Sequence, residues 1–444
     1  MILDMFGPEA LTFFMIAAMV AFLVMGYPVA FVLGGLATIF GLLFIGPSSL
    51  GFFVFKIYGI FADYLLVAVP LFVFMGMVID KSGLAIRLYD ATHVLMGRLP
   101  GGLAVATIVT STIFAAATGV VGASVITMGL LALPAMMKYR YDKALATGAI
   151  CAGGTLGVLI PPSVLLLIYG PTAGLSVGKL FMAAFIPGLL LSLLYVIYIV
   201  VRCRLRPEMG PPLPPEAVRV PFPRKMYLFT TSILPVGALI LAVLGSIFFG
   251  VAAPTEAAGI GALASMLLAA AYGKLSFANL KDAVYRTATV SAMTFMILIG
   301  AGFFTIIFVR LGGNQVIQKL LMGLPLPRAG ILMIILLIVF IMGMFLDSIA
   351  TIMVAVPIIT PIASSLGYDP IWFAMMVSVT MQTGFLSPPF ALSVFYLKGV
   401  APVDVTTYDI YRGVLPFMAI QLSSLVVLAV FPGLITWLPN LMVK

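Results

Sequence analysis

Apolar runs long enough to cross a bilayer follow one another along this chain: Glu9 to Met25, Pro28 to Ile45, Asp63 to Ile79, Lys179 to Val201, Met226 to Phe249, Thr255 to Tyr272, Thr287 to Val309 and Val414 to Trp437. Each approaches the ~20 residues a helix needs to span the hydrocarbon core. Only helices or closed barrels satisfy their own backbone there. With 63% apolar and 8% charged residues, against about 45 to 50% and about 25% in soluble domains, no soluble globule can be built. The chain reads as an all-α polytopic membrane protein. Between the spans, Leu84 to Gly97, Leu275 to Arg286 and Asn314 to Met322 mix charges with apolar residues at helical spacing, which predicts struts lying along the interface.

The net charge of +9 does not mark a nucleic-acid binder, which needs basic residues clustered on a solvated face. Here they stand at the ends of apolar runs and orient the chain by the positive-inside rule. Arg202 to Lys225 carries six basic residues and Pro207, Pro211, Pro212, Pro214, Pro215, Pro221 and Pro223; it reads as an extended, non-helical, cytoplasmic linker. The first ten residues hold Asp4 and Glu9 but no Lys or Arg, unlike the basic start of a cleaved signal peptide. The first helix is therefore expected to be retained, with the N-terminus periplasmic. Two cysteines, Cys151 and Cys203, and a single histidine, His93, supply neither a disulfide framework nor a catalytic zinc site.

An internal repeat organises the rest. Pro161-Pro162 and Pro388-Pro389 lie 227 positions apart (388 minus 161), and the same shift carries Pro100 to Pro327, Pro134 to Pro361, Tyr141-Asp142 to Tyr368-Asp369, Gly157 to Gly384 and Tyr169 to Tyr396. The expected organisation is a first repeat over 1–206, a linker over 207–225 and a second repeat over 226–444. Each repeat contains a stretch that is not an ordinary pair of spans. In the first (about 99–138), arms Leu103 to Ala117 and Val125 to Met137 flank Thr118 to Ser124, and both outer ends are basic. The second arm's 13 residues would reach only ~20 Å, short of a core of ~30 Å, which predicts a re-entrant hairpin. Its counterpart (about 328–366) turns near Leu346-Asp347-Ser348. A broken helix follows in each half, about 142–170 and about 370–397, with Gly153 to Pro162 and Gln382 to Pro389 as the interruptions. Three spans, the broken helix and one more span make an odd number of crossings, so the second half should be inverted relative to the first.

Inverted repeats with discontinuous helices meeting at the midplane mark the binding site of a secondary transporter. Hairpin tips offer helix N-termini to an anion; unwound carbonyls with hydroxyls and a carboxylate suit sodium, by analogy with other hard cations. Thr118, Ser124, Thr155, Thr351, Gln382 and Ser387 are the expected contacts of a small organic anion. Thr118, Gly119, Ser124, Gly153, Thr155 and Gly157 in the first half, and Asp347, Thr351, Thr383 and Gly384 in the second, are the expected sodium set. Each has a structural alternative. Asp347 can cap the second arm, the hydroxyls can bond the preceding helical turn, and the glycines can permit close packing. Glu256, after Pro254-Thr255, reads as a helix cap, and His93 as an interfacial side chain.

The segments Thr118-Gly119 to Met136, Gly153-Gly154-Thr155-Leu156-Gly157 leading to Ile160-Pro161-Pro162-Ser163, Gly343-Met344-Phe345-Leu346-Asp347, and Gly384 to Pro389 resemble the large membrane subunit of tripartite ATP-independent periplasmic (TRAP) transporters, of the DctM or SiaM type, over essentially the whole chain. The resemblance implies sodium-coupled uptake of organic acids across the bacterial inner membrane by an elevator motion. It also implies two partners, a small four-helix membrane subunit and a soluble periplasmic substrate-binding protein, and no cofactor beyond the coupling ions. Where the family's first tip often reads Ser-Gly-Ser-Ser, this chain has Thr118-Gly119-Val120-Val121, so the first sodium site would rely on Thr118, Ser124, Thr155 and backbone oxygens. The alternatives are a stand-alone dicarboxylate or oxyanion carrier, a channel, which two oppositely inserted hairpins disfavour, and an intramembrane enzyme, for which the charge inventory offers no clustered acid, base or metal set.

Overall fold

A computed structural model describes residues 7–214 and 220–442, and among these no strand occurs. Asp4 and the linker residues 215–219, Pro215 included, lie outside the described residues. Among the described residues, ten helices are long and apolar enough to cross a membrane. Elements recur at the shift of 227. Gly102–Thr118 corresponds to Arg328–Phe345, Val121–Lys138 to Ser348–Ser365, Lys143–Leu159 to Pro370–Gly384, Val164–Ala173 to Leu392–Lys398, and Val177–Leu205 to Thr407–Val430.

The expected spans need several corrections. Leu275 to Arg286 is not a separate strut: Phe277–Arg310 is one helix of 34 residues. In the first half the equivalent stretch is two helices, Ser49–Ala62, which no expected span covered, and Ala68–Lys81, joined by a 3-10 turn, Tyr64–Val67. Asp63 causes the break. It takes an extended conformation, and its side chain accepts the Leu65 N–H at 3.0 Å; position 290, its counterpart, is a valine. The last span stops at Val430, and Gly433–Asn440 forms a separate short helix after Pro432. Leu84–Met96 and Gly313–Met322 are the two expected short amphipathic helices. On the first, His93 stacks on Tyr89, and burial lowers the imidazole pKa while the Asp90 carboxylate opposes the shift.

The linker is not simply extended. Pro207–Met209 forms a 3-10 turn, and the Gly101 N–H donates to Gly210 O (2.8 Å), Asp142 N–H to Met209 O (2.9 Å) and Leu213 N–H to Gly97 O (3.0 Å). Its first half is therefore docked against the foot of the first hairpin, with Leu213 buried. Peptide groups freed by the prolines are satisfied in this way by neighbouring backbone.

Helix Lys143–Leu159 forms the centre of one packed body. It is buried on every face from Leu145 to Leu159, and touches both arms of the first hairpin and helix Thr407–Val430. Small residues permit this. A Cβ on Gly148 would collide with Gly413 O, and one on Gly413 with Ala144 O, so the two helices cross backbone to backbone. A second body contains Pro8–Val24, Val29–Phe40, Ala68–Lys81, Pro254–Ala271 and Phe277–Arg310, and the two meet, among other places, where Phe277–Arg310 runs beside Ser348–Ser365.

Substituting Gly148 or Gly413 by Ala should force these helices apart at a cost of about 1–3 kcal/mol. The thermal midpoint of the purified protein in detergent should fall for both, whereas Gly237→Ala, where nothing lies within 4 Å of the added carbon, should not lower it.

Candidate functional site

Each hairpin turns on two residues. Gly119 and Val120 join Gly102–Thr118 to Val121–Lys138, and Leu346 and Asp347 join Arg328–Phe345 to Ser348–Ser365. Gly119 makes the first turn possible by adopting φ 65°, and a side chain there would meet Pro162 O at 2.9 Å. The first tip therefore lies against the proline pair of the first broken helix. The return arm has 18 residues, about 27 Å at 1.5 Å each, not the shorter arm expected from Val125. Because the turn needs only two residues, Val121 to Ser124 are helical, and arm length gives no independent sign of re-entry.

The breaks are also shorter than expected. Gly153, Gly154, Thr155 and Gly157 are helical; only Ile160 to Ser163 depart from the helix. Gly153 and Gly154 serve packing. A Cβ on Gly153 would meet Ser111 Oγ at 2.8 Å, and one on Gly154 would meet the Val125 backbone N at 3.1 Å. A Cβ on Gly384, the last helical residue of Pro370–Gly384, would stand 2.9 Å from the Gly343 backbone. The unwound backbone expected at these glycines is thus corrected to close helix contact. Carbonyls are freed one turn later. Pro161 and Pro162 have no N–H for the carbonyls of Gly157 and Val158; the Ser163 hydroxyl donates to Val158 O at 2.5 Å. In the second half the Ser387 N–H donates to Gly384 O (3.1 Å), and the Ser393 hydroxyl to Phe385 O (2.7 Å).

A cavity of about 150 Å³ lies where the parts converge. It is lined by the first tip (Gly119 to Gly122), the second tip (Asp347 to Ile349), both breaks (Val158, Val164, Phe385, Leu392) and the second body (Val73, Val290, Met293, Thr294). Among the described residues that line it, Asp347 is the only charged one and none is basic. Of the expected residues, only Gly119 and Asp347 reach it. Thr118, Ser124, Thr155, Thr351, Gln382 and Ser387 form buried polar positions behind the tips instead, because the cavity walls are built from their valine, leucine and phenylalanine neighbours. None of these six lines this cavity.

Those polar positions have definite partners. Thr118 Oγ1 donates to Phe114 O (3.0 Å) and lies 3.3 Å from Ser124 Oγ. Thr155 donates to Ala152 O, Thr351 to Asp347 O, Thr383 to Val379 O and Ser387 to Pro388 O. A hydroxyl whose hydrogen is committed to the helix presents only lone pairs outward, which suits a cation. Gln382 Nε2 donates to Thr155 Oγ1 at 3.2 Å, joining residues 227 positions apart, while its Oε1 is buried without a partner. Asp347 does cap its helix, accepting the Ala350 N–H at 2.9 Å, and Glu256 accepts the Ala253 N–H at 2.8 Å.

Contacts between the two bodies were missed in the sequence. Thr127 Oγ1 donates to Asp80 Oδ1 (3.0 Å). Thr305 Oγ1 lies within hydrogen-bond distance of Met353 O (2.8 Å) as well as of Ala301 O in its own helix (2.9 Å), and Pro357 cannot satisfy the Met353 carbonyl within its own helix. A proline four residues after the carbonyl was the available signal. Lys56, a charge inside an apolar run, was another.

Among the described residues, ten apolar helices long enough to cross a membrane, with two hairpin tips and two interrupted helices around one cavity, define a multi-pass membrane protein. The fold is similar to that of the YdaH transporter of Alcanivorax borkumensis, with a TM-score of 0.59 at 17% identity, covering 96% of this chain and 98% of that one. The chain belongs to the family described as "Tripartite ATP-independent periplasmic transporter, DctM component", which it matches over residues 16–434. It is 31% identical to the C4-dicarboxylate TRAP transporter large permease protein DctM of Pseudomonas aeruginosa, covering 91% of this chain and 93% of that protein. It is 29% identical to the sialic acid TRAP transporter large permease protein SiaM of Vibrio cholerae, covering 94% and 95%.

Gly154→Ala should displace the second arm of the first hairpin through Val125 and shift the tip. Solute uptake should fall at least tenfold while the amount in the membrane stays within twofold of wild type, measured by uptake against quantitative immunoblot.

Proposed function

We propose that this protein is the large permease subunit of a sodium-coupled, receptor-dependent transporter that imports a carboxylate-bearing organic acid across the bacterial inner membrane. The observation that carries the proposal is the convergence of both tips and both breaks on one cavity. The body holding the hairpins, 99–138 and 328–366, and the broken helices, 142–170 and 370–397, moves as the elevator against the other body. The two repeats are inverted, the N-terminus is periplasmic and the linker 207–225 is cytoplasmic. A periplasmic binding protein delivers the solute, and a small membrane subunit flanks the fixed body.

Sodium would use oxygens near the tips. In the first half these are Thr118, Ser124 and the Gly157 carbonyl left without an amide partner; in the second they are the Asp347 carboxylate and the Thr351 and Thr383 hydroxyls. The solute carboxylate would face the first tip, where Val121–Lys138 begins without a side-chain cap and its first N–H groups are free. Asp347 already caps the second tip and disfavours an anion there.

The test is uptake into proteoliposomes containing both membrane subunits, with and without the binding protein and a sodium gradient. Uptake should require both, and uptake without the binding protein would favour a stand-alone carrier. Asp347→Asn should raise the half-saturating sodium concentration about tenfold or more; an unchanged sodium response refutes its role. Pro161→Ala and Pro388→Ala each supply an N–H that can close the break, and both should impair uptake more than membrane insertion.

A further inference from the structure

A second cavity, of about 260 Å³, shares no lining residue with the central one. It adjoins the first along three helices at once. Leu165 and Ile168, Thr294 and Leu298, and Ile349 and Met353 line the central and second cavities respectively, and each pair is about one helical turn apart. In the expected topology this step leads toward the periplasm. The two cavities therefore lie about one helical turn apart between the bodies.

The second chamber holds what the first lacks. Lys56 lines it, and among the described residues its ammonium has no hydrogen bond or ion pair. Its stem lies in a notch on helix Phe277–Arg310. A Cβ on Gly302 would strike the Lys56 chain and stand 3.1 Å from Nζ, so the absence of a side chain there aims the ammonium into the chamber. Asp63 lies on the same wall seven residues further on and forms no ion pair with Lys56; its Oδ1 is committed to the Leu65 N–H. Asp63 acts on the Lys56 ammonium electrostatically but makes no hydrogen bond to it, and a charged group on an apolar helix whose donors are uncommitted is a candidate ligand site.

We propose that this chamber is a periplasmic-side staging site for the solute, in which Lys56 takes the acid group and Asp63 faces the opposite end. The class of ligand follows from the pair of charges: a small molecule with one carboxylate or sulfonate, whose other end bears hydroxyl or ammonium donors. A dicarboxylate long enough to span both residues is disfavoured by Asp63. Lys56 supplies a cationic side chain to the anion before it passes to the central cavity, whose described lining has none. The site's role rests on the permease reading; its occupancy does not.

The experiment uses the full-length protein in nanodiscs with Gly59→Cys. Gly59 lines the chamber and has nothing within 4 Å of an added carbon, and the native Cys151 and Cys203 are buried. The rate of labelling by a neutral maleimide is measured with lactate, alanine or succinate as probes. Lactate and alanine should slow labelling of the introduced thiol at least threefold, and succinate less. Lys56→Gln should abolish the protection, and Lys56→Arg should keep part of it. Asp347→Asn, which disables the proposed central site, should leave the protection intact. In uptake assays with the complete transporter, Lys56→Gln should raise the half-saturating solute concentration about tenfold with little change in maximal rate. No protection by any probe, or protection that survives Lys56→Gln, overturns the proposal. So does a phospholipid that copurifies with wild type but not with Lys56→Gln while the probes fail to protect, because the anion would then be a lipid phosphate. Protection in a protein that transports nothing would leave this site standing and remove the permease reading instead.

Discussion

Hydrocarbon offers no hydrogen-bond partner to a peptide group, so every carbonyl freed within the membrane must find one inside the protein. The proline pairs at 161–162 and 388–389 free carbonyls in the middle of two helices, and the molecule is arranged around where those groups go. The first break presses on the first tip, with Gly119 against Pro162 O, and hydroxyls of Ser163 and Ser393 satisfy neighbouring carbonyls. The same rule acts between bodies. Pro357 frees Met353 O, and Thr305 on the facing helix reaches it at 2.8 Å.

Close backbone contact is the second consequence. Gly148 against Gly413, Gly154 against Val125 and Gly384 against Gly343 bring helices together without intervening side chains. Association in lipid depends on such packing because burial of apolar surface gives little net gain there. These contacts hold the tips and breaks in register, and that register creates a small cavity with walls of valine, leucine and phenylalanine behind which hydroxyls present their lone pairs.

Much of this was legible in the residues. The shift of 227 appears in prolines and in the Tyr-Asp pairs because those residues have fixed structural jobs: Asp142 and Asp369 each cap the helix that follows, accepting N–H groups of Leu145 and Trp372 at 2.8 Å. Asp347 as a cap, Glu256 as a cap and the two-armed hairpins were readable for the same reason. The glycines were misread as unwound because glycine beside proline has the same local signature whether it breaks a helix or lets another helix approach. Asymmetry between the halves was the least visible. Asp63 alone divides one long helix into two, and a single aspartate in a chain of spans gives no hint of it.

The membrane setting, most of the helices, the recurrence at 227 residues and the places where helices are interrupted follow from the order of residues alone, since they depend on local chemistry: apolar length, missing N–H groups and short-range caps. Which side chains face a cavity is a property of the packed molecule. Thr118, Thr155 and Gln382 turn into the protein, while Val120, Val121, Thr294 and Tyr396 face the central space, and Lys56 becomes significant only beside Gly302. On a helix buried on every face no polar stripe distinguishes a cavity wall from a packing surface, so that choice is made by the helices packed against it.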